Sequence, residues 1–111
     1  MTAIELQAIE FHSKQFRQAL EKCPKSLLPI GFRDFPRGSC GDASLLLAKY
    51  LQNMKCGMFD YVCGETSEND EHRFQSHAWL QRNDLIIDIT ADQFEEIQDS
   101  VVITRNRSWY E

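Results

Sequence analysis

Apolar residues recur at three- and four-residue steps over residues 2–22, where Leu6, Ile9, Phe16 and Leu20 share one face. That spacing predicts an amphipathic helix. Thr2 and Glu5 stand at capping-box spacing at its start, and Pro24 stops it. Residues 24–38 hold all three prolines and two of the five glycines, which predicts an irregular connection. Its Leu27, Leu28, Phe32 and Phe35 are expected to rest on the body of the protein. A second helix is predicted from Ser39–Cys40 to about Lys55, with Ser39 as N-cap and Asp42 in the electropositive first turn. Ala43, Leu46, Leu47, Tyr50 and Leu51 form its inward face, and Gly57 is placed to end it.

The pattern then changes period. Residues 58–64 alternate, with Phe59, Tyr61 and Cys63 on one side, and predict a strand. The polar run 65–73 reads as a solvated loop. Residues 75–82 and 85–90 flank Asn83-Asp84, a two-residue hairpin turn. Residues 91–98 read as a turn or short helix, and Val101–Ile103 as a fourth strand. Helices first and antiparallel strands afterwards define an α+β domain: two N-terminal helices packed on a sheet of about four strands.

The chain's 111 residues fit a single domain, 1–111. With 42% hydrophobic and 26% charged residues the composition is that of an ordinary globular protein. Twelve basic against seventeen acidic side chains leave a net charge of −5, which argues against nucleic acid as a partner. No apolar run approaches the roughly 20 residues of a membrane span. The opening MTAIELQAIE lacks a basic n-region, so a cytoplasmic location is expected, with Cys23, Cys40, Cys56 and Cys63 reduced.

The hairpin turn has a chemical consequence. If Arg82 pairs with Leu85, then Trp79 faces Asp88 and His77 faces Thr90, so all four share a side of the sheet. His77 and Asp88 become diagonal neighbours about 7–8 Å apart at the backbone, within side-chain reach. A carboxylate there holds one imidazole tautomer and stabilises the imidazolium. Cys40 opens a helix, where unpaired N–H groups lower a thiol pKa. Those groups, Gly41's among them, can also stabilise an oxyanion. Cysteine, base and orienting acid are what acyl transfer through a thioester needs. The alternatives are a buried Cys40 that only packs, and an Asp88 paired with Arg73 or Arg82. Cys56, Cys63, His72 and His77 lack the tight pairs of a zinc site, so no metal is expected. Trp79 reads as packing or a wall of the site, and His12 as exposed.

GSCGDASLLLAKYL (38–51), SHAWL (76–80) and LIIDIT (85–90) resemble the transglutaminase-like branch of the papain-like cysteine enzymes. There a cysteine opens a helix, His-x-Trp begins a strand and an aspartate lies on the next. The likeness covers about residues 36–94, and ADQF (91–94) resembles a pattern in small bacterial proteins of this kind. It implies a papain-like core with Cys40 as nucleophile, His77 as base and acid, and Asp88 as orienter. It also implies a protein, peptide or small amide substrate and no cofactor. Papain-type enzymes carry an oxyanion-binding glutamine about six residues before the cysteine, but position 34 here is Asp. Gln93, brought in by a folded-back loop, is the candidate substitute. The second functional reading is a non-catalytic module that keeps the fold and binds a protein.

Overall fold

A computed structural model describes residues 2–28, 32, 35, 40–67, 74–94, 97–106 and 108–110. Helix α1 (Ala3–Lys22) begins after Thr2, whose hydroxyl accepts the Glu5 N–H at 3.1 Å, and stops one residue before the Cys23–Pro24 pair. Its buried face is Ile9, Ser13, Arg17 and Leu20, with Leu6 and Phe16 half-buried beside them. The inward stripe therefore includes a hydroxyl and a guanidinium that apolar periodicity does not register. His12, expected in solvent, is half-buried with its ring 6.0 Å from that of Tyr50.

Helix α2 (Cys40–Asn53) starts at the cysteine, as predicted; the expected N-cap Ser39 lies outside the described residues. Ala43, Ser44, Leu47 and Leu51 are buried, but Leu46 is 40% exposed and Tyr50 half-buried against Phe16 of α1. The inward face is thus narrower than predicted, because α2 meets the sheet along the i, i+4, i+8 line of Ala43, Leu47 and Leu51. The helix also ends earlier than Gly57. Cys56 N–H reaches Leu51 C=O at 2.8 Å and Lys55 N–H reaches Gln52 C=O at 3.0 Å, a Schellman closure. Lys55 takes the left-handed conformation (φ 61) that the closure requires.

Four antiparallel strands follow, in the order β1 (Asp60–Ser67), β2 (Phe74–Arg82), β3 (Leu85–Asp88) and β4 (Val102–Thr104). Asn83 supplies the positive φ (56) of the β2–β3 turn. The hairpin has the predicted register: Arg82 with Leu85, Gln81 with Ile86, Leu80 with Ile87. β1 runs through Ser67, where the sequence predicted loop, because Glu65–Ser67 pair with Phe74–Ser76. Pairing to a neighbour overrides the polar composition there. Residues 68–73 of the expected loop lie outside the described residues.

The helices cover one face of the sheet. Leu80, Leu85, Ile87 and Ile89 pack there with Ile9, Leu20, Phe32, Ala43, Leu47 and Leu51. Alternation along the strands turns His77, Trp79, Ile86 and Asp88 to the other face. Phe94 and a short 3₁₀ turn, Ser108–Tyr110, cover that side. No helix among the described residues is long and apolar enough to cross a membrane.

Candidate active site

The β2–β3 ladder stops at Leu80 and Ile87, and what happens at the next rung builds the site. Continuing the register would pair Ala78 with Ile89. Instead the Ile89 carbonyl accepts from the Arg17 guanidinium of α1, and the Ala78 carbonyl accepts from Ser44 Oγ of α2 at 3.3 Å. The Ala78 amide hydrogen-bonds the Cys40 sulfur, as does the amide of Gly41. Three of the backbone groups freed by ending the ladder, both carbonyls and the Ala78 amide, thus find partners outside the hairpin. The first turn of α2 meets β2 where the strands part, and there its thiol comes within hydrogen-bonding contact of His77 on the far face.

His77 is 1% exposed. Its Nε2 lies 2.6 Å from Asp88 Oδ2, so Nδ1 is the nitrogen left for the sulfur. Asp88 is equally buried. Its Oδ1 accepts the Thr90 N–H at 3.0 Å, an Asx-type turn that ends β3 two residues before the sequence predicted. Its Oδ2 accepts a second hydrogen bond, from Tyr110 Oη at 3.0 Å. Of the predicted alternative partners, Arg82 donates instead to the Cys56 carbonyl at 3.1 Å, and Arg73 lies outside the described residues.

Burial alone would push the His77 pKa down. Hydrogen bonds and charge from Asp88 and Cys40 outweigh it and push the pKa up to about 9. The Cys40 thiol moves the opposite way. Its hydrogen bond to His77 lowers the pKa below the ordinary 9.0, against the burial that raises it, with help from the two backbone amides. Opposed shifts in touching groups favour a thiolate–imidazolium pair.

The remaining sequence-predicted residues fall around this pair. The 3₁₀ turn Ala91–Gln93 folds back and brings Gln93 Nε2 to 3.2 Å from His77 Nδ1, beside the sulfur. Trp79 is buried, its ring 5.8 Å from that of His77, and packs against Gly64 of β1. A Cβ at Gly64 would stand 2.7 Å from the indole, so only glycine leaves it room. Gly41 lies against the hydroxyl of Tyr61, 3.1 Å from where a Cβ would be. Tyr61 is 44% exposed, and its hydroxyl has no hydrogen-bond partner among the described residues. Asp34 and His72 lie outside the described residues.

Sequence reasoning missed four contributors. Phe94 and Trp109 set their rings edge-on to His77 at 5.0 and 5.9 Å, and Tyr110 touches Asp88. Two adjacent aromatics, Trp109-Tyr110, after the last strand were the available signal. Arg17 was the fourth. It clamps Asp92 through two 2.8 Å bonds and the Ser100 carbonyl at 3.1 Å, anchoring the turn that carries Gln93. Comparison of the chain with protein-family models, curated proteins and solved structures finds no match.

Proposed function

We propose that this protein is a thiol-dependent acyl-transfer enzyme of transglutaminase-like type, acting on an amide or peptide bond. The observation that carries the reading is a helix-opening thiol in contact with a buried imidazole whose other nitrogen stands 2.6 Å from a buried carboxylate. The Cys40 thiolate attacks the carbonyl carbon, and the C=O electron pair moves to oxygen. The amine leaves with the proton held by His77 Nδ1, giving a thioester and neutral imidazole. His77 Nδ1 then takes a proton from water, or from an acceptor amine, as it attacks the thioester, and the sulfur departs as the thiolate, restoring the thiolate–imidazolium pair. Asp88 keeps the ring in the tautomer this exchange needs and balances the imidazolium. The half-exposed Tyr61 hydroxyl and the Gly41 backbone flank the thiol away from the aromatic cover, which suits that side to carbonyl entry. The carboxamide of Gln93 stands beside the sulfur as a donor to the developing oxyanion.

Iodoacetamide at neutral pH, with peptide mass spectrometry, tests the nucleophile. Cys40 should alkylate at least about tenfold faster than Cys23, Cys56 and Cys63, and p-nitrophenyl acetate should acylate the wild type but not Cys40→Ala. Equal rates at all four cysteines would overturn the proposal and leave the binding-module reading.

A further inference from the structure

Among the described residues Asp88 accepts three hydrogen bonds, and their distribution is uneven. Thr90 N–H occupies Oδ1, while His77 Nε2 and Tyr110 Oη converge on Oδ2 at 2.6 and 3.0 Å. Two donors on one carboxylate oxygen compete for its charge, so whatever Tyr110 withdraws is lost to the imidazolium. The phenol is held there firmly. Its ring packs edge-on against Trp79 and Trp109, both at 4.8 Å, and Trp109 in turn packs on Phe94 at 5.3 Å and on His77. Packing of this kind needs only the ring; the hydroxyl adds a bond to the acid.

We propose that Tyr110 is a positioning residue for the Cys40–His77–Asp88 set, and that its hydrogen bond to Asp88 restrains the proton affinity of His77. The proposal rests on the acyl-transfer reading for its functional meaning, but not for its measurement. Burial, followed by the charge of Asp88, raises the Tyr110 pKa, so the phenol keeps its proton and remains a donor over the working range. The titratable groups facing His77 among the described residues are Asp88 from β3 and Cys40 from α2. Gln93, Trp79, Phe94 and Trp109 supply neutral contacts. Cys40 in turn faces His77 and Tyr61, and Tyr61 also feels Cys63 and Asp42. Tyr110 is therefore the titratable group that touches the acid without touching the thiol.

The test is Tyr110→Phe, read in two ways. The NMR titration of His77 should move up by about half a unit to one unit, because Asp88 gives the ring the charge it no longer shares. The midpoint at which Cys40 becomes alkylable should fall by a similar amount. Site-specific Tyr110→3-fluorotyrosine, a stronger donor of nearly the same shape, should shift both midpoints the other way and guards against a folding defect in the first variant. A hydroxyl with a purely structural role would lower the melting temperature and leave both titrations superimposed on wild type, which would overturn the proposal. A wild-type Cys40 no more reactive than the other thiols would refute the acyl-transfer reading alone, since the His77 titration needs no reactive sulfur.

Discussion

His77 sits under two opposed influences, and the outcome decides what Cys40 can do. Burial favours a neutral ring, while Asp88 and Cys40 favour a charged one and prevail, with the His77 pKa at about 9. The sign of the pH dependence follows. As pH rises through the lowered Cys40 pKa the thiolate forms, so alkylation should climb below the ordinary 9.0 and then stay high. Under the proposed function, amide turnover also needs the imidazolium proton for the leaving amine, so it should fall again as pH passes about 9. Asp88→Asn keeps the shape and removes the charge. Burial should then win at His77, and alkylation of Cys40 at pH 7 should drop by about tenfold or more in stopped-flow measurement. An unchanged rate would mean that the carboxylate does not support the pair.

At the scale of elements, the hairpin and α2 do different work. The hairpin register was legible because a two-residue turn with Asn83 at its first position leaves one pairing, and that pairing puts His77 and Asp88 on one face. The start of α2 at Cys40 was legible too. What the sequence concealed is where the ladder ends. Strand periodicity extends smoothly through Ile89 and Thr90, but the Asp88 carboxylate turns the chain, and Arg17, seventy-two positions away, takes the Ile89 carbonyl. A contact of that range has no local signature. The aromatic cover was hidden similarly, since only the folded sheet brings 108–110 back over His77. Arg17→Met tests the clamp: it would strand the Asp92 carboxylate and two carbonyls, costing roughly 3 kcal/mol in urea unfolding. It should also slow Cys40 alkylation in the folded state, because the rung beside the thiol loses its competing partner. A stable variant with wild-type reactivity would show that the clamp is dispensable.

Over the whole molecule, the thiol, imidazole and acid come from α2, β2 and β3, with α1 and the 108–110 turn bracing them from opposite faces. Bringing the three side chains together takes α2, β2 and β3 at once. Selective alkylation of Cys40 should therefore disappear in the same cooperative transition as the far-ultraviolet circular dichroism when the protein is titrated with urea. Loss of selectivity well before the helical signal would instead mark the α2 start as an independently opening unit.

The place where β2 and β3 part carries one more implication. Withdraw both the tip of α2 and the Arg17 side chain, and Ala78 and Ile89 are free to bond each other, zipping the hairpin shut across the berth the sulfur had occupied. On the proposed acyl-transfer reading, a chain so rearranged would be disarmed, its thiol parted from the imidazole, and closing α1 and α2 back onto the sheet would arm it.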